Sequence, residues 1–192
     1  MAKNKFITLI QKWYQKNKKQ FNFPWRKTRD PYAIFVSEIM LQQTLISRVL
    51  PKYQEWLKEF PTFSSLAKAP FPKILQAWQG MGYNRRARYL ADAAGIIIKG
   101  YKGQIPKDPK TLETLPGIGH YTARAICCFA YGTCEPFLET NIRRVMIHFF
   151  GSSIKSEKIS DGALLRILDQ IEPKTERREW YYALMNYGRE VL

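Results

Sequence analysis

The stretch Leu115–Ile126, LPGIGHYTARAI, decides how the chain is read. Two glycines one residue apart, Gly117 and Gly119, follow a proline and stand between a short helical segment and a longer one. Glycine admits positive φ and lets the backbone come close to a partner. The amides that open the following helix point outward and favour an anion, so a DNA phosphate would fill that place. A Pro-Gly turn that merely joins two helices reads the same way. The surrounding sequence has to choose.

Working outward, apolar residues recur at helical spacing almost everywhere. Phe6, Leu9, Ile10, Trp13 and Tyr14 form one stripe of a first helix, closed before Pro24. Residues 32–50 are apolar on nearly all sides and predict one buried helix ending near Pro51, with helix resuming through Trp56 and Phe60. Shorter helices are expected at 64–68, 72–78 and 85–99, punctuated by Gly80, Gly82, Gly100 and Gly103. Further helices follow the hairpin through Ala130, then at 141–150, at 163–171 and around Trp180, Ala183, Leu184 and Tyr187. No strand pattern, repeat or low-complexity tract interrupts them, so the fold is expected to be all-α.

Lysine plus arginine number 31 against 16 acidic residues, a formal charge of +15. Each phosphate neutralised by such a surface releases condensed counterions, which favours nucleic acid as the partner; a basic solvated face is the plainer account. Hydrophobic residues make up 45% of the chain, enough to exclude a disordered polyelectrolyte. No apolar run approaches the roughly 20 residues of a membrane helix. The basic opening MAKNKFITLI lacks a full signal core, so a cytosolic, nucleoid-associated monomer off the membrane is expected. Cys127, Cys128 and Cys134 lie in apolar sequence without CxxC spacing and read as reduced core thiols, neither metal ligands nor a disulfide frame.

Two carboxylates stand out. Glu38 shares a helical stripe with Ile34, Leu41 and Leu45, where desolvation would keep a proton on it near neutral pH; an ion pair with Arg26 or Arg48 is the alternative. Glu139 precedes a helix, where the ionised form is favoured. That suits a fixed anion beside an oxocarbenium-like sugar, and equally an ordinary helix-start acid.

Four segments together carry a resemblance: FPWRKTRDPYAIFVSEIMLQQT (23–44), MGYNRRARYL (81–90), LPGIGHYTARAI and LETNIRRV (138–145). They resemble, in order and over nearly the whole chain, the helix-hairpin-helix (HhH-GPD) DNA glycosylase superfamily, and SEIMLQQT is most like its adenine glycosylase branch. The resemblance implies a six-helix barrel lobe over 27–137, with the hairpin at 109–130. It also implies a second lobe made from 1–26 and 138–192.

It further implies that Glu38 protonates a flipped base and helps handle water, with Glu139, Tyr121 and Asn141 completing the catalytic set. Trp25, Arg26, Leu41 and Ile46 would line the base pocket. Tyr182 stands where adenine glycosylases have Glu or Gln, and is either pocket wall or core. Gln42 would enter the base stack and Thr44 would lie near the opposite base; Tyr83, after Gly82, reads from the sequence either as a second wedge or as a core aromatic beside Trp78. Gly117, Ile118, Gly119 and Thr122 would contact the DNA, here a duplex bearing a mismatch or lesion, while Arg86, in the basic run with Arg85 and Arg88, reads either as a phosphate contact or as part of a solvated helix face.

Several departures sharpen this. The family has Asp where Glu139 stands. Endonuclease III-type lyases carry lysine at the position of Tyr121, so water, not an amine, is the expected nucleophile. The first iron–sulfur cysteine corresponds to Leu192 and none of the others is present, so no cluster is expected; nor is the separate domain that senses 8-oxoguanine. A sodium or potassium ion on the carbonyls of Glu113, Leu115 and Ile118 is implied by the resemblance. Excision of adenine opposite 8-oxoguanine or guanine leads. Thymine or uracil excision from mismatches with guanine follows, and a silent DNA-binding protein comes last.

Overall fold

The computed structural model describes residues 3–154 and 159–192; four residues of the expected second lobe, 155–158, lie outside them. The described secondary structure is helical, with no strand. The chain divides into two compact units, one of Met1–Asn22 with Cys134–Leu192 and the other of Phe23–Thr133. The sequence places these borders about four residues later.

The first unit contains α1 (Lys3–Asn17), α10 (Thr140–Phe150), α11 (Asp161–Ile171) and α12 (Arg177–Glu190). Its core is aromatic: Phe6 of α1 meets Phe149 and Phe150 with ring centroids 5.0 Å apart, and Trp180 at 5.8 Å. Phe137 stacks on Tyr181 at 4.0 Å. Fully burying one such ring contributes about 1.5–3 kcal/mol.

The second unit runs α2 (Pro24–Lys27), α3 (Pro31–Met40), α4 (Ile46–Glu59), α5 (Phe63–Lys68), α6 (Phe71–Ala77), α7 (Arg85–Tyr101), α8 (Pro109–Leu112) and α9 (His120–Ile126). Asp30 starts α3 by accepting the Tyr32 amide on Oδ1, with Pro31 in the first turn where its missing N–H costs nothing. Every α3 residue from Tyr32 to Met40 is buried. Lys102 ends α7 in the left-handed region, and the Gly103 N–H closes the cap on the Ile97 carbonyl.

Three expectations need correction. The single helix over 32–50 is two helices, broken at 41–45, so Leu45 leaves the Glu38 stripe and is 72% exposed. The break has a long-range cause: the Arg86 guanidinium donates to the carbonyls of Ile39, Met40 and Gln42, which end α3 without another turn. Pro51 lies inside α4, not at its end, and forfeits one helical bond while Val49, Tyr53 and Trp56 bury the face that holds the helix. Finally, Cys128 and Cys134 are each disulfide-bonded, whereas Cys127 keeps its thiol. A π-helical turn over Cys127–Tyr131 and Gly132 at φ 76° redirect the chain after Cys128, a geometry that cysteine spacing does not reveal.

Candidate active site

Glu38 sits two residues before the end of α3 and is 5% exposed. The Tyr121 hydroxyl, on the second residue of α9, donates to Glu38 Oε2 at 3.0 Å. The hydrogen bond thus joins the buried helix to the helix that follows the hairpin. Tyr121 offers no amine at this position and supplies an O–H donor.

The hairpin itself is built by local and long-range contacts together. Asp108 caps α8 by accepting the Thr111 amide at 2.8 Å and its hydroxyl at 2.7 Å. Gly117 has φ 77°, and a Cβ there would lie 2.7 Å from Tyr89 Cδ2 and 2.9 Å from Tyr89 Cβ. Glycine is therefore required twice over, by backbone and by space. Gly119 is the N-cap residue of α9, and no side chain caps the helix there. Ile118 and Thr122 are buried. Arg124 ties the hairpin across its base, from Nη1 to Glu113 Oε1 at 2.5 Å and to the His120 carbonyl at 3.1 Å.

Gln42 is turned into this hairpin: its Nε2 donates to the Gly117 carbonyl at 3.0 Å and to Thr122 Oγ1 at 3.4 Å. Gln43, passed over in the sequence, and Leu45 are the exposed residues of the turn. Gln43 has φ 52° and Tyr83 has φ 47°, left-handed conformations that non-glycine residues rarely adopt. Tyr83 is 62% exposed. The break in α3 would have singled out Gln43, had it been legible.

Arg86, expected at the DNA, is turned inward among the described residues. It is 5% exposed and its six hydrogen bonds go to protein oxygens, including Thr44 Oγ1 at 2.8 Å. Burial pulls its pKa below the usual guanidinium value. The carbonyl cage supplies the dipoles that a buried cation needs.

Of the residues assigned to the base pocket, Trp25 is buried, stacked on Phe23 at 5.2 Å and edge-on to Tyr53 at 5.4 Å. Arg26 lies over the Phe23 ring at 5.1 Å. Leu41 and Ile46 are half-buried and packed against the core.

In the first unit Glu139 caps α10. Its Oε1 accepts the Ile142 amide at 2.7 Å, and its Oε2 accepts Asn141 Nδ2 at 3.1 Å. The helix-start position does favour the carboxylate, through the amides of Asn141 and Ile142. Burial outweighs them and pushes the Glu139 pKa above its ordinary value. Gly188 of α12 comes so near that a Cβ would lie 2.3 Å from the Asn141 carbonyl oxygen. Tyr182 is buried in this unit, with Arg178 Nη2 3.4 Å from its hydroxyl.

Among the described residues no three His, Cys, Asp or Glu side chains gather as a metal site, and no helix is long and apolar enough to cross a membrane.

Residues 36–170 match the pattern of the HhH-GPD superfamily base excision DNA repair proteins. The chain is 39% identical over 181 residues to the adenine DNA glycosylase of Mycolicibacterium smegmatis, covering 93% of this chain and 60% of that protein. It is 30% identical over 184 residues to the thymine/uracil-DNA glycosylase of Methanothermobacter thermautotrophicus, covering 95% of this chain and 82% of that one. Among solved structures it resembles a thermostable thymine-DNA glycosylase with TM-score 0.88 and 29% identity, over 97% of this chain and 85% of the other. With the hairpin, the all-helical build and a match over most of its length, the chain belongs to the HhH-GPD superfamily of base excision DNA repair proteins.

Proposed function

We propose that the protein is a monofunctional DNA glycosylase that hydrolyses the N-glycosidic bond of a flipped, mispaired base, namely adenine opposite 8-oxoguanine or guanine. One observation carries this reading: Glu38 is buried yet held by a hydroxyl at 3.0 Å, on a residue that offers no amine. In this scheme Glu38 passes its proton to N7 of the purine. The C1′–N9 bond then breaks with its electron pair to the base, and water adds to the C1′ cation and gives its proton back to the Glu38 carboxylate. Glu139 is assigned the fixed anion that stabilises the cation, and Asn141 the amide that orients water.

Flipping costs a few kcal/mol of unstacking, which inserted side chains such as the exposed Tyr83 offset. An ion on the carbonyls of Glu113, Leu115 and Ile118 belongs to the same reading. The Leu115 carbonyl takes one bond from the Ile118 N–H and keeps a second lone pair for sodium or potassium. The cysteines do not fit an iron–sulfur cluster, because two are tied in a disulfide and the third is buried, donating to the Lys107 carbonyl.

Thymine or uracil excision from mismatches with guanine is the second reading, favoured by the likeness to the thymine/uracil-DNA and thymine-DNA glycosylases. A panel of duplexes carrying A:8-oxoG, A:G, T:G and U:G, with alkali to reveal abasic sites, separates the two. Adenine excision without a borohydride-trapped adduct is expected. Cleavage confined to pyrimidines would replace the first reading with the second.

A further inference from the structure

Arg86 joins two turns that the sequence keeps about 40 residues apart. Nη1 donates to the carbonyls of Ile39 at 3.1 Å, Met40 at 3.0 Å and Gln42 at 2.5 Å. Nη2 donates to Thr44 Oγ1 at 2.8 Å and to the carbonyls of Met81 at 2.9 Å and Gly82 at 3.2 Å. The guanidinium also packs against Trp78 at 5.2 Å and Tyr83 at 5.5 Å, and Trp78 Nε1 donates to the same Gly82 carbonyl.

None of these acceptors is a carboxylate, so a cation is buried on neutral dipoles alone. Burying a charge is a poor device for stability, since apolar residues would pack the same volume without the desolvation penalty. What the arrangement does supply is geometry. A planar fork can hold two strands of backbone at a fixed spacing, whereas an ammonium presents its donors from a single point. Each turn held in this way also carries a residue in left-handed backbone, Gln43 in one and Tyr83 in the other, and both are exposed.

We infer that Arg86 is a positioning residue for strand opening: its guanidinium locks residues 41–45 and 81–84 into one rigid unit that holds Gln43 and Tyr83 in register for entry into the duplex. This rests on the glycosylase reading for its purpose, though not for its geometry.

The test compares wild type with R86K, R86M and T44V at a temperature where circular dichroism shows each folded. Without DNA, amide hydrogen exchange should rise at least about tenfold at 41–45 and 81–84 in both Arg86 variants, with α10 unchanged. In T44V the rise should be confined to 41–45. With DNA, R86K should lose kcat by about 100-fold, the scale set by misplacement of a reacting group by an ångström. Its affinity for a duplex with an abasic site, already unstacked, should stay within about threefold of wild type, because phosphate contacts away from these turns carry binding.

A 2-aminopurine beside the mismatch should lose its flipping signal in the same variant. Wild-type exchange at both turns, or a folded R86K with wild-type kcat and flipping signal, would overturn the inference. If R86M fails to fold, R86K and T44V decide the matter. A wild type that excises no base in the panel sinks the glycosylase reading, while the exchange data still judge the clamp.

Discussion

The two carboxylates singled out by the sequence are held in opposite ways. Glu139 finds its partners within three residues, in the Ile142 amide and the Asn141 side chain, so a short peptide could almost specify them. Glu38 is bonded by Tyr121, 83 residues further along, and is buried by a helix that is itself stopped by Arg86. The first site is a local turn; the second exists only when the whole unit has folded. A carboxylate that stays dry has to be enclosed by distant chain, whereas a helix cap needs only its own first turn.

The contrast can be broken or sharpened by substitution. Replacing Glu38 by Gln keeps shape and removes the acid, and a single-turnover assay should show kcat lower by about 100- to 10,000-fold with DNA affinity retained. Excision at the wild-type rate would remove Glu38 from the chemistry. Tyr121→Phe deletes only the long-range hydrogen bond. Its effect on kcat should be about tenfold, the worth of one bond to a charged or buried group, with little change in KM. A loss as large as that of E38Q would mean that the hydroxyl itself touches the reacting atoms.

The smallest effect concerns Glu139. Because its folded pKa is raised, the folded state holds this proton more tightly than the unfolded chain does. Its contribution is therefore most favourable below the ordinary value of 4.5 and is lost as pH rises through the higher folded value. Urea titrations from pH 4 to 8 should show wild type losing stability relative to Glu139→Gln as the pH rises. A gain in that direction would show that the cap's hydrogen bonds outweigh burial after all.

The same division explains what could be read from the sequence. The hairpin, α7 and α10 carry their signals locally, in Gly117 and Gly119, in an apolar stripe, and in an acid before a helix, and all were legible. The break at 41–45 was not, because the donors that end α3 belong to Arg86. Missing that break placed Leu45 beside Glu38 and left Gln43 unremarked, while the same arginine was assigned to phosphate because it stands in a basic run. Periodicity sees what a residue does for its own helix. It does not see an arginine that works for another.

Gly117 bears on how this protein can change. Its missing side chain faces the ring and also the Cβ of Tyr89, so trimming Tyr89 even to alanine would leave a methyl group 2.9 Å away. The left-handed backbone closes the other route, since relief of the clash would not relieve φ 77°. A compensating substitution at position 89 would therefore still leave any other amino acid at position 117 in strained backbone. The hairpin tip is a dead end for stepwise variation, and new preferences must come from the residues around it.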